Sequence, residues 1–203
     1  MTPLLLGWCA GSLLVALMLL YGIPTRIRGH LLFVLLTFVC LAMALATGAL
    51  AVAVRTYTTL TLEQPVATVR CARVPNDPWR IRLLYTPLSP SEASTHTVEL
   101  AGDQWMVSGD FLKWHPWLTV AGWRPVHKVT RLSGRFADTA QELTHPSTAV
   151  ALNGGTDAWW LWLHRYGRSF PCVETVYGSA AYALAESGRT YTVYVTPSGY
   201  IVK

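Results

Sequence analysis

Charge is what this chain has least of. Acidic and basic residues make up 13% of its 203 positions, against 52% apolar residues, and an ordinary soluble domain carries about twice that charged share. The shortage is concentrated. Between Pro3 and Val54 there is no Asp, Glu or Lys, and the only basic residues are Arg26, Arg28 and His30. The remaining 14 Lys and Arg and all 11 acids therefore follow Val54. That later part is only mildly basic, with its Lys and Arg spread singly. It lacks the clustered cationic stripe of a nucleic-acid binder, so no nucleic acid is expected as a partner.

Chemical signatures are missing too. The histidines His30, His96, His115, His127, His145 and His164 form no HxH or HExxH spacing, the arrangements that put two imidazoles on one metal. There is no P-loop, GxGxxG, GxSxG or SxxK. No catalytic residue, cofactor or metal site is expected, and the chain reads as non-enzymatic. Ser179 follows Gly178 in a strand-like run and reads as structural. Asp103 and Asp110 lie seven positions apart, and acid–base work would need a pocket to join them. An overlooked envelope enzyme would show itself as a pocket uniting two or more of His96, His115, His127, Asp103 and Asp110.

Cysteine is sparse. Cys9 and Cys40 lie within apolar runs, where they read as small packing residues. Cys71 and Cys172 are the only two after Val54. In an oxidising compartment they are a candidate disulfide; the alternative is two buried thiols.

What the chain does have is hydrophobic length. Pro3–Ile23 and Leu31–Val54 are runs of 21 and 24 residues without an ionisable side chain other than Cys9, Tyr21 and Cys40. At 1.5 Å per residue the shorter spans about 31 Å, close to a bilayer core. The N-terminus lacks the positive leader and small-residue exit of a cleaved signal peptide, so the reading is a transmembrane helical hairpin over 1–54. Arg26 and Arg28 place the short turn on the cytoplasmic side by the positive-inside rule. The N-terminus and the 55–203 domain then face outward, which in a bacterium is the periplasmic side of the inner membrane. Gly7 and Gly11 form a GxxxG, while Ala42 with Ala46 and Ala44 with Gly48 repeat that spacing. Such faces let helices approach closely, either each other or another membrane protein. With no charged group or histidine in the runs, a two-helix pore or pump is not expected on physical grounds.

The rest of the chain reads as a mainly antiparallel β domain, giving an α+β class overall. Arg55–Leu62 has the composition of a chain entering a strand. Val66–Val74 and Trp79–Tyr85 alternate with period two. Thr97–Leu100, Ala101-Gly102-Asp103 and Gln104–Val107 read as a hairpin. Val126–Leu132, Val173–Leu184, Thr190–Val195 and Tyr200–Val202 read as strands. Thr139–Thr148 looks irregular and Asn153-Gly154-Gly155 looks like a flexible break. One helix is expected over Ala158–Tyr166, capped by Thr156 or Asp157 and stopped by Gly167. Arg131 and Arg135 with Asp138 and Glu142 suggest an ion-pair network.

Tryptophan is over-supplied, with eight of nine after Val54. Trp79 and Trp105 read as core. Trp114, Trp117 and Trp123 cluster between Lys113 and Arg124, a composition shared by cores, protein interfaces and bilayer surfaces. Trp159, Trp160 and Trp162 cannot all share one face of a helix, so at least one must meet something outside it.

Leu100–Trp105 (LAGDQW), Arg131–Phe136 with Asp138 and Glu142 (RLSGRFADTAQE), and Val176–Tyr182 with Ser198–Lys203 (VYGSAAY and SGYIVK) together thread most of the 55–203 region. On these segments the chain resembles an uncharacterised family of bacterial two-helix inner-membrane proteins with an outer domain, sometimes labelled multidrug efflux pump-like. The resemblance implies the architecture and carries no known activity. The expected function is an accessory or assembly subunit of an inner-membrane complex, partnered by the bilayer and another membrane protein. The alternative is a lipid- or glycan-binding module of the cell envelope.

Overall fold

The computed structural model describes residues 2–21, 27–75, 77–89 and 94–203. It divides into two compact units, Met1–Thr59 and Leu60–Lys203.

The first unit is helical. Helix α1 runs Thr2–Tyr21 and α2 runs Ile27–Leu60. They touch through small residues. The Cys9 thiol donates to the Ala44 carbonyl at 3.3 Å, and a side chain added at Gly48 would sit 3.4 Å from Cys9 Sγ. Ala16, Ala44 and Ala51 are buried. Among the described residues one segment, Val34–Leu60, is long and apolar enough to cross a membrane, and α1 adds a shorter apolar stretch, Gly7–Met18. The helix continues past Val54 where a strand was expected. Its threonines, β-branched and weak helix formers, satisfy their hydroxyls on the preceding turn: Thr58 Oγ1 donates to the Arg55 carbonyl at 2.9 Å and Thr59 Oγ1 to that of Thr56 at 2.9 Å.

The second unit is two antiparallel sheets and three helices. The strands are β1 (Gln64–Arg73), β2 (Arg80–Pro87), β3 (His96–Ala101), β4 (Gln104–Trp114), β5 (Val126–Arg135), β6 (Ala149–Ala151), β7 (Val173–Leu184), β8 (Thr190–Thr196) and β9 (Gly199–Val202). One sheet has the order β3-β2-β1-β8-β9 and the other β6-β5-β4-β7. Alternation supplies a common core: Ile81, Leu83 and Tyr85 from β2 and Tyr191, Val193 and Val195 from β8 meet Trp105, Val107 and Phe111 from β4. Trp105 is fully buried with its ring edge-on to Tyr191 at 5.6 Å.

The sheets meet at two seams. At one, Ser179 Oγ on β7 accepts from the Tyr200 N–H on β9 at 3.0 Å. At the other, Gly134 on β5 lies so close to β3 that any Cβ would collide with the Ala101 carbonyl oxygen. This second seam overturns the expected hairpin. β3 pairs with β2, whereas β4 pairs with β5 and β7, so Ala101-Gly102-Asp103 carries the chain from one sheet to the other. Period two tells which face of a strand is buried; it does not name the partner.

Among the described residues the domain has three α-helices where one was expected. Besides α5 (Ala158–Tyr166) there are α3 (Pro116–Ala121) and α4 (Thr139–Thr144). Pro116 opens α3 and Gly122 closes it in a left-handed cap. Asp138 caps α4 through the Ala140 N–H, and the Glu142 carboxylate accepts from the Phe136 N–H at 2.6 Å. Those two acids are therefore spent on backbone donors. The expected ion-pair network does not form among the described residues: Arg135 instead stacks over the Tyr182 ring at 5.0 Å, and Arg131 Nε reaches Ser108 Oγ at 3.4 Å.

Candidate functional site

Strand β4 builds the site. Its odd residues enter the core, so Ser108, Asp110 and Leu112 face outward. Helix α5 covers the Leu112 end: Trp160 and Leu163 pack there with Leu112 and Val173, joined by Trp114, Cys172 and Val176. Its capping residue is Asp157, which accepts from the Trp160 N–H and, at 2.9 Å, from Lys128 Nζ. The Lys128 hydrogen bond and then the Trp160 N–H hold the Asp157 carboxyl below the ordinary aspartate range.

The Ser108 end stays open, as a cleft of about 650 Å³. Its floor is made by small residues. Gly178 and Ala180 on β7 lie opposite Asp110 and Ser108 in the ladder, and a Cβ on Gly178 would meet nothing within 4 Å. Ala149 and Ala151 on β6 line it from the other edge. A bulge inserts Thr130 into β5, because Ser108 faces Arg131 while Gly109 faces Val129. That extra residue brings both Thr130 and Arg131 to the cleft. The rim is Asn153–Thr156, which is pinned rather than loose. Asn153, Gly154 and Gly155 take positive φ in succession, Asn153 Nδ2 donates to the Val129 carbonyl at 3.0 Å, and the Gly155 N–H donates to that of Leu152 at 2.8 Å. Two consecutive glycines suit that left-handed backbone.

Asp110 is the polar centre of this surface. It is 7% exposed. His164 Nε2, from α5, contacts its Oδ1 at 3.0 Å, while its Oδ2 is buried with no protein donor. A buried acceptor left so costs about 1–3 kcal/mol, and such exceptions call for an explanation. Sequence reasoning missed this pair. His164 sits 54 positions from Asp110, with no spacing to link them. The other groups weighed have contacts of their own: Asp103 Oδ1 accepts from the Ala137 N–H, His96 contacts Ser94, His115 lies by Trp117, and His127 stacks on Phe111. Among the described residues no three His, Cys, Asp or Glu side chains converge as a metal set.

The tryptophans sort by face. Trp105 and Trp160 are buried and Trp114 is half-buried; Trp79, expected in the core, is 44% exposed against Phe136 and His145, and Trp117, Trp123, Trp159 and Trp162 are exposed as well. Trp114 donates Nε1–H to the Arg124 carbonyl at 2.8 Å and meets Trp123 edge-on at 5.1 Å. Trp159 stacks on Trp162 at 5.3 Å, and Trp162 continues to Tyr166 and Phe170. This aromatic ladder is solvent-facing, with Trp159 at 61% exposure. Arg165 and Arg168 follow in the same segment, and Ala158–Pro171 holds no acid.

On α1, a Cβ on Gly7 or Gly11 would meet nothing within 4 Å. They line an apolar groove of about 550 Å³ with Leu4, Trp8, Ser12, Val15 and Cys40. Ala42 and Ala46 are exposed on α2, and Gly48 faces Cys9. The candidate disulfide is not formed. Cys71 and Cys172 are free thiols in separate clusters, the first in the inter-sheet core and the second under α5. Burial pushes the Cys71 thiol up to about 11.

No protein-family model, no curated protein and no solved structure matches this chain.

Proposed function

We propose that the chain is a non-enzymatic accessory or assembly subunit of a bacterial inner-membrane complex. Helices α1 and α2 form its transmembrane hairpin, and the β domain lies on the periplasmic side with the N-terminus. The observation that carries the reading is the open groove at Gly7 and Gly11. Small residues at that spacing admit a helix at close range, and α2 does not fill them. The exposed Trp159–Trp162–Tyr166–Phe170 ladder with Arg165 and Arg168 supports it further, since aromatic rings with arginine suit a membrane–water interface. The test is native sizing of the full chain after gentle detergent extraction. A complex with a second membrane protein is expected, and Gly7→Leu with Gly11→Leu should release it without unfolding the β domain. A monomer in the unaltered chain would overturn the reading.

A second reading, an envelope lipid- or glycan-binding module, is favoured by the cleft at Asp110. None of the tryptophans lines that cleft, so on this reading the binding surface is the polar floor of the four-stranded sheet.

A further inference from the structure

We infer that the cleft on the outer face of the four-stranded sheet binds a hydroxyl-rich ligand, a neutral saccharide, between Asp110 and Arg131. The inference deepens the second reading above and is independent of helix docking. Its volume, about 650 Å³, lies in the range of small-ligand sites. Its chemistry narrows the ligand. Ser108, Thr130 and Thr156 bring hydroxyls, Asp110 a carboxylate and Arg131 a guanidinium, and no large apolar or aromatic side chain lines it. A lipid chain would find nothing to bury against.

The two charged groups set complementary demands. A carboxylate only accepts hydrogen bonds and a guanidinium only donates them. They do not pair with each other: Asp110 meets His164, and Arg131 reaches toward Ser108. Opposite charges in one cleft favour a ligand without net charge. A sugar hydroxyl donates and accepts, so neighbouring hydroxyls on one ring serve both groups at once. Asp110 Oδ2 lacks the donor that a hydroxyl would provide. It is shielded in the conformation seen here, and the broad χ2 torsion of aspartate lets it turn toward a ligand. That turn moves both oxygens together, so Oδ1 gives up its His164 contact as Oδ2 meets the ligand. The small side chains at Gly178 and Ala180 leave open space above the floor for a ring.

The test uses the full chain in phosphatidylcholine nanodiscs, because glycosidic detergents would compete for the site. Chitotriose and maltotriose are titrated and followed by saturation-transfer NMR and calorimetry. Saturable binding of at least one is expected, weakened ten-fold or more by Gly178→Val and by Arg131→Gln. Valine suits a strand and its Cβ meets nothing at position 178, so it fills the cleft without disturbing the fold. Arg131 is exposed, which gives a second variant independent of that assumption. Failure of both trisaccharides to bind the unaltered chain would overturn the inference, as would unchanged binding by the Arg131→Gln chain. Binding of glycine in place of either sugar would overturn the ligand class. Native sizing is unaffected by these outcomes, so the subunit reading and the cleft stand or fall separately.

Discussion

The two sheets share one core yet present different outer faces. On the five-stranded sheet the alternation is clean, with β2 burying every second residue and exposing Arg80, Arg82 and Leu84 between them. Its outer face carries a solvent-exposed Arg82–Glu99 pair at 2.7 Å. On the four-stranded sheet, β4 buries Gly109, Asp110, Phe111 and Leu112 in succession, because α5 and the cleft occupy its outer side. A strand that stops alternating is a strand covered twice. The comparison teaches where to look: the second cover is where this domain departs from a plain sandwich, and the buried polar Asp110 lies at its edge.

The largest expected effect removes the comparison altogether. Gly134→Val forces a side chain into the Ala101 carbonyl at the inter-sheet seam, and overpacking on this scale costs about 3 kcal/mol or more. Urea unfolding of the variant should show both sheets lost in one transition. A smaller cut separates the faces. Trp160→Ala should cost about 3–5 kcal/mol by removing a buried ring from the cover on the four-stranded sheet. Trp159→Ala, one residue earlier and exposed, should stay within about 0.5 kcal/mol. Equal effects at the two positions would mean that α5 does not dock as described.

Acid should act on the cover before the core. The folded-state carboxyl of Asp157 is held below its unfolded value, so its contribution is present above about pH 4 and is lost as pH falls through the lower folded value. Substitution Asp157→Ala should therefore flatten the acid limb of a tryptophan-fluorescence titration. Thiol chemistry distinguishes the clusters at alkaline pH. Cys71 has its folded value raised to about 11, so the stability it contributes is complete below the unfolded value and disappears as pH rises through the folded one. Ellman's reagent at pH 8 should leave Cys71 unreacted until the domain is unfolded, while half-buried Cys172 reacts first. The smallest effect belongs to the plain face. Breaking the exposed Arg82–Glu99 pair should change stability by less than about 1 kcal/mol, measured by a double-mutant cycle.

Much of the fold is legible in particular residues. Period-two alternation marks β1 and β2, runs of strand-forming residues mark β5, β7, β8 and β9, and Asp157 with Gly167 brackets α5. The Thr-rich end of α2 misleads because threonine prefers strands, and its hydroxyls bond back to the helix only once the helix exists. α4 hides in a polar stretch since its stability comes from the Asp138 cap and from Glu142 reaching Phe136, not from an apolar face. Strand pairing is beyond local pattern, as the Ala101–Asp103 crossover shows. The cleft is hardest to see. Ser108, Asp110, Thr130, Arg131, Thr156 and Gly178 are ordinary residues until a bulge and two neighbouring strands bring them together. The one sequence hint lay in Asp110 beside consecutive Phe111 and Leu112, an acid next to a strand segment apolar on both faces.

The order of the five-stranded sheet has a consequence for biogenesis. β1 lies between β2 and β8, with Gln64 opposite Val195, so the first strand of the domain waits for nearly the last. Closing so long a loop is slow, and until it closes one edge of β1 remains an open template for pairing. A nascent chain would therefore leave that edge of β1 unpaired until residues 190–196 had been made. Loss of that final stretch would leave β1 with an open edge and the domain with an aggregation-prone sheet.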